Sequence, residues 1–261
     1  MINKPASIDE IFFRCSQLSK IMSDGKEKAG LTEKQEEELH FLASKIRTPK
    51  QESDYQKLLY KKDWKPEYDL SEGAKTYVRS LVRQIDFDYD TWFAVAETKK
   101  GILVENESIA LYNEVFETNH SKNTKRERNE FIQGECDIDA PEFDLIIDIK
   151  SSWSKETFPF LEDEIDIKGY EWQGRGYMML YNRNNFRLAF CLVNTPYQLL
   201  RFEQNMSIHY VDDIEKKLRV TTMDFTRCPI LEEKIKYKVT EARRYANWYQ
   251  NELVKKYQKR K

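Results

Sequence analysis

No apolar run in this 261-residue sequence approaches the ~18 residues of a membrane span. The N-terminal MINKPASIDEIFFRC also lacks a secretory apolar segment and cleavage site, so a soluble, cytoplasmic protein is expected. Cysteine is scarce: Cys15, Cys136, Cys191 and Cys228 are scattered with no C-x-x-C pair. That spacing argues against a zinc or iron–sulfur site built from local pairs and favours reduced, buried thiols. His40, His120 and His209 are too few and too dispersed for a His-rich metal centre. A net charge of −2 excludes a generic polycation, so any nucleic-acid contact must come from local basic clusters. Internal repeats and low-complexity linkers are missing too, which points to one domain over 1–261. Its parts are a helical region to about 98, a core over about 99–195 and a C-terminal extension over about 196–261. Hydrophobic residues at 40% are enough for a sizeable core.

What the chain does have is concentrated between Phe131 and Ser152, FIQGECDIDAPEFDLIIDIKSS. This reads as two short strands joined by a turn at Asp139-Ala140-Pro141, the second strand running from Phe143 to Ile149. Side chains two apart on a strand share a face. Leu145, Ile147 and Ile149 therefore enter the core, while Asp148 and Lys150 project together on the other side. Asp137, just before the turn, approaches the same point. Two carboxylates and an ammonium converging at a sheet edge suit Mg²⁺ or Mn²⁺, which prefer hard oxygen ligands, and the lysine can steady a developing negative charge. The alternative is a solvated strand face with an ordinary ion pair. Asp139 and Asp144 compete with Asp137 as ligands. Asp139 reads as a cap for the turn before Pro141 and Asp144 as the start of the strand, so Asp137, which follows Gly134-Glu135 on the strand itself, is preferred.

Around that stretch the pattern is mostly helical. Ser7-x-x-Glu10 reads as a capping box opening a short helix through Phe13, and Ser16 as the N-cap of a second helix over Gln17–Met22. A helix N-terminus also receives phosphates, though capping alone explains a serine there. Thr32-x-x-Gln35 begins a charged helix to about Ile46. Thr48 to Glu67, with Pro49 and Pro66, reads as loop with one helical turn near Tyr55–Leu59. Ser71 starts a further helix with Tyr77, Val78, Leu81, Val82 and Ile85 at 3.6-residue spacing. Ala94 to Phe116 is a long helix or helix pair that contains Glu105 and is interrupted near Lys99-Lys100-Gly101. The loop HSKNTKRERN, from His120 to Asn129, is a solvated charge run or a phosphate contact through Lys122, Lys125, Arg126 and Arg128. Downstream, Gly169–Asn182 reads as a helix with Tyr170, Gln173 and Tyr177 on a shared side. Phe186–Asn194 is a strand, Ile208–Thr222 is mixed, and a long helix runs from Pro229 to about Tyr257. The basic tail through Lys259-Arg260-Lys261 follows it.

The order Ser16, Glu105, Asp137, Asp148-x-Lys150, Gln173-x-x-x-Tyr177 resembles the phage lambda exonuclease (YqaJ-like viral recombinase) family of the PD-(D/E)xK nuclease superfamily. The segments KGILVENESIALYNEVF, GECDI, DLIIDIKSS and YEWQGRGYM carry the likeness, which spans roughly Ile11 to Asn194. The resemblance implies an α/β restriction-endonuclease-like core, a small mixed sheet flanked by helices. It implies Mg²⁺-dependent 5′→3′ digestion of linear double-stranded DNA in phage-type recombination, in the host cytoplasm. It assigns the metal to Asp137, Asp148, the carbonyl of Ile149 and, at a second position, Glu105. Lys150 would orient the attacking water, Gln173 and Tyr177 would line the site, and Ser16 would lie near the 5′ phosphate. A ring-shaped trimer and a single-strand annealing protein are the implied partners. Departures are an aspartate at 148 where glutamate is frequent, and Asp9 where the family has an arginine, for which Arg14 is the substitute. The rival enzyme is a site- or structure-specific endonuclease; the rival without catalysis is a DNA-binding protein.

Overall fold

The computed structural model describes residues 11–24, 30–63, 67–89, 95–201 and 203–258. The Ser7-x-x-Glu10 box, Asp9 and the tail from Lys259 lie outside them. The chain enters as a strand of two residues, β1 (Phe13–Arg14), and turns through a 3₁₀ segment (Cys15–Gln17) into one turn of helix, α1 (Ser19–Met22). The short helix expected through Phe13 is therefore a strand here, because β1 pairs in parallel with Ile132 and Gln133. Two helices packed against each other follow, α2 (Glu33–Ala43) and α3 (Pro49–Asp63), then α4 (Glu72–Asp86). The Thr32/Gln35 capping box starts α2, and the Ser71 hydroxyl accepts the Ala74 N–H at the start of α4.

The loop expected over Thr48–Glu67 is mostly α3. Thr48 and Gln51 cap one another reciprocally, at 3.1 and 3.4 Å, and Pro49 takes the first helical position, where its missing N–H costs nothing. The expected helix over Ala94–Phe116 is a pair, α5 (Ala96–Leu103) and α6 (Glu105–Phe116), broken at Val104 rather than near Lys100.

The Phe131–Ser152 stretch holds three strands, not two. After β2 (Glu127–Arg128), β3 (Ile132–Gly134) belongs to a small sheet ordered β1-β3-β2. Next, β4 (Ile138–Ala140) and β5 (Leu145–Ser151) belong to a second sheet, which is completed by β6 (Asn185–Cys191) and β7 (Val220–Thr226) in the order β4-β5-β6-β7. The pairing is antiparallel, parallel, antiparallel. Between β5 and β6 runs α7 (Tyr170–Tyr181), and after β7 comes α8 (Pro229–Gln258). This is the expected α/β class, a small mixed sheet flanked by helices with a long terminal helix. The turn at Asp139-Ala140 is strand β4, and Asp139 holds Arg183 at 2.8 and 3.1 Å instead of capping.

Both faces of β5 are covered. Ile147 and Ile149 pack with Val104, Ile109 and Tyr112 of the α5–α6 side. Ile146 faces α7, α1, α4 and α8 in the larger core, which draws on residues from Ile11 to Ala246. The apolar stripe of α8 (Ile235, Val239, Ala242, Ala246) is fully buried in that core, so this helix packs on the body of the molecule. Helix α7 lies very close to the sheet. A Cβ at Gly174 would stand 2.3 Å from the Phe186 ring. At the C-terminal ends of β5 and β6, fully buried Lys100 donates to the carbonyls of Ser152, Trp153 and Val193 at 2.6, 3.1 and 2.8 Å. Burial pulls its pKa down to about 8, while the three carbonyls keep the ammonium engaged.

Two stability changes follow. Gly174→Ala gains about 1 kcal/mol of helix propensity but forces a methyl into an aromatic ring, a cost of roughly 1–3 kcal/mol. The expected result is a lower urea midpoint, and a higher one would show that Phe186 yields freely. Lys100→Met strands three buried carbonyls and should lower stability by on the order of 3 kcal/mol. An unchanged melting temperature would refute the tether.

Candidate active site

Each half of the site is placed by a different local rule. Strand alternation turns Asp148 and Lys150 to the face that α7 covers. Helical spacing of four residues stacks Gln173 over Tyr177 on the side of α7 that meets this face. Asp137 comes from the bend between β3 and β4, where the chain leaves one sheet for the other, so it stands beside a strand and not on one.

Asp148 is 1% exposed. Its Oδ1 accepts from the Gln173 amide at 3.0 Å, and its Oδ2 has the Lys150 ammonium at 2.6 Å and no aligned hydrogen bond. The Gln173 amide nitrogen also lies 3.3 Å from the Tyr177 hydroxyl, which donates to the Glu135 carbonyl at 2.9 Å. One continuous chain of polar groups therefore runs from Lys150 to the backbone next to Asp137. The Asp137 carboxylate accepts the Ile149 N–H at 2.6 Å, which fixes it against the strand carrying Asp148. Burial and then the Asp148 charge push its pKa up to about 7, against the pull of Lys150 and the Ile149 N–H. Burial opposes the Lys150 ammonium, but Asp148 and Asp137 hold its pKa above the ordinary lysine value. The ammonium also lies 5.4 Å from the centre of the Tyr170 ring.

Glu105, at the first position of α6, pairs with Lys122 at 2.5 Å and acts electrostatically on Asp137. Among the described residues, no group of three or more Asp, Glu, His or Cys is arranged to hold a metal ion. The fit to a hard cation rests instead on two crowded carboxylates, a buried Oδ2 of Asp148 met only by the Lys150 ammonium, and an all-oxygen donor set. That set would be Asp137 and Asp148, with the Ile149 carbonyl and Glu105 as the remaining donors. Asp144 is not of this group: it adopts a left-handed backbone conformation and accepts from the backbone and side chain of Asn184.

Ser16 is exposed in the 3₁₀ turn and caps nothing. Arg14 and Leu18 hold the cap positions without side-chain bonds, and α1 is only four residues long. The helix-terminus argument for phosphate binding at Ser16 therefore fails. The turn does lie near the site, since a Cβ on Gly134 or on Gly176 of α7 would meet the Cys15 sulfur at 2.9 and 3.0 Å. The basic residues of the following loop all have partners: Lys125 pairs with Glu127, Arg126 with Glu135, and Arg128 stacks over Phe12. Sequence reading passed over Asn123, whose N–H donates to the Asp137 carbonyl at 2.7 Å and whose amide donates to the carbonyls of Lys125 and Cys136. Asparagine is a frequent loop-organising residue, and its place in a charge run hid it.

Because Asp137 has a folded pKa near 7 against 3.8 for the free carboxyl, its contribution to stability is full below about pH 4 and is lost as pH rises toward 7. With chelator present, the stability of the wild type relative to Asp137→Asn should fall across that window. Parallel profiles for the two proteins would contradict the crowded-carboxylate geometry.

No protein-family model matches the chain, and no curated protein matches it in sequence. Solved structures do. A phage-related exonuclease from Haemophilus somnus shares 29% identity and superposes with a TM-score of 0.74 over 93% of this chain and 96% of its own. An alkaline exonuclease from Laribacter hongkongensis, at 14% identity, superposes with a TM-score of 0.53 over 73% of this chain and 88% of its own. In fold the chain is similar to these exonucleases, in line with the lambda-exonuclease-like motif order that its sequence resembles.

Proposed function

We propose that the protein is a Mg²⁺-dependent exonuclease that digests linear double-stranded DNA from 5′ ends, in phage-type recombination. The observation that carries this reading is the convergence of half-buried Asp137 and Lys150 on the buried Asp148, backed by Gln173 and Tyr177. The near full-length likeness to an exonuclease supports it. A divalent cation on these carboxylates would act as a Lewis acid and supply hydroxide near neutral pH. The chain's own groups do the rest. Gln173 fixes the rotamer of Asp148, the Ile149 N–H fixes that of Asp137, and Lys150 stands where it can orient water and neutralise charge on the phosphorus-bound oxygens. Ser16, Arg14, Lys122, Lys125, Arg126 and Arg128 are the proposed DNA contacts. A trimeric ring and a single-strand annealing partner complete the proposal. No helix among the described residues is long and apolar enough to cross a membrane.

Linear duplex labelled at each end in turn, offered beside a closed circular plasmid, separates the readings. With Mg²⁺ the protein should release mononucleotides from the 5′ end, leave the circle intact and stop with chelator. Asp148→Ala and Lys150→Ala should each reduce the rate by at least about 10²-fold. A nicked or linearised circle would establish an endonuclease instead. Variants that retain full function would mark a DNA-binding protein.

A further inference from the structure

We infer that Lys122 contacts substrate phosphate, and that its pairing with Glu105 makes this contact conditional on what the Glu105 carboxylate is holding. The inference rests on the nuclease reading above and adds a coupling to it. Lys122 stands apart from the other cations of its loop because its partner is a carboxylate that acts on Asp137. Its backbone is fixed at the site. The next residue, Asn123, donates to the Asp137 carbonyl at 2.7 Å and braces the loop through the carbonyls of Lys125 and Cys136. The Tyr181 hydroxyl of α7 donates to the same Lys125 carbonyl at 2.6 Å. The Lys122 side chain itself is 39% exposed, so its long stem can reach outward while its base stays still. A lysine ammonium with this exposure stays charged near neutral pH whichever partner it has.

Glu105 cannot give the same oxygen fully to Lys122 and to a divalent cation. When the carboxylate turns to a cation, the ammonium is released beside Asp137, where a phosphate oxygen is the natural replacement partner. The chain would then grip DNA most firmly when its carboxylates are loaded, and an unloaded protein would not hold DNA unproductively.

The test compares wild type with Lys122→Met and Lys122→Arg. Calorimetric titration of Mg²⁺ into the DNA-free proteins should show Lys122→Met binding about threefold more tightly, the scale of a partly exposed ion pair. Binding of a linear duplex with phosphorothioate ends, measured against salt in Mg²⁺, should show a log–log slope shallower by about 1 for Lys122→Met. In chelator the two slopes should coincide, and Lys122→Arg should restore wild-type behaviour in Mg²⁺. Unchanged Mg²⁺ affinity and slope would overturn the inference. Weaker Mg²⁺ binding in Lys122→Met would also overturn it, making Lys122 a mere support for Glu105. A wild type that cleaves normally beside such a variant leaves the nuclease reading standing; a wild type that binds neither Mg²⁺ nor duplex removes both.

Discussion

A carboxylate almost sealed from water must be answered by charge and by hydrogen bonds, and Asp148 sets that demand for the whole molecule. Lys150 answers one oxygen and Gln173 the other. Each answer requires a structural element. Lys150 needs β5 to stay extended for two further residues, and Gln173 needs α7 to lie flat on the sheet. That close approach explains the glycine at 174, which leaves room for Phe186. Tyr177, one turn beyond Gln173, carries the arrangement to the Glu135 carbonyl and so to the bend that holds Asp137. Fold and site are therefore a single problem in this chain. The parallel pairing of β5 with β6, which needs a covering helix between the strands, is what brings α7 to the acid.

The second carboxylate raises the electrostatic cost. Asp137 is half-buried beside Asp148, and its own affinity for a proton rises in consequence. Two lysines flank the carboxylates, Lys150 at Asp148 and Lys122 at Glu105. Such crowding is costly for stability and useful for chemistry, because a doubly charged cation gains more from the pocket than either lysine does.

Much of this was legible from residue order. Alternation along Leu145–Lys150 puts the acid and ammonium on one face, though that face is a second core and not open to solvent, and four-residue spacing places Gln173 and Tyr177 together. Reciprocal capping at Thr32 and Gln35 and the extent of α8 also read directly. Other parts were hidden for identifiable reasons. Helix α3 buries only Leu58 fully, so it has almost no apolar period, and its start rests on Thr48, Pro49 and Gln51, a grouping that also suits a loop. Strand β7 keeps both faces partly open at the sheet edge, and only the run Val220-Thr221-Thr222 hints at it. A strand as short as β1 exists solely because Ile132 and Gln133 lie beside it. Lys100 reads as one more surface lysine, since nothing local announces three carbonyls converging from distant loops.

Helices α2 and α3 have a small apolar core of their own, Leu39, Leu42 and Leu58 with Leu31, Tyr55 and Leu59, apart from the cores that flank the sheet. The excursion that carries them leaves after α1 and returns before α4, and its ends meet where the Ser23 and Ser71 hydroxyls lie 2.6 Å apart. Lys238 of α8 secures that neck through Asp24 and Asp69. A segment anchored in this way can open and reclose while the central sheet keeps its shape, because among the described residues few apolar contacts tie its melting to the rest. Its amide protons would then exchange with solvent well ahead of those in the central sheet, and its length can drift over evolution without disturbing the acids at the other end of the chain's fold.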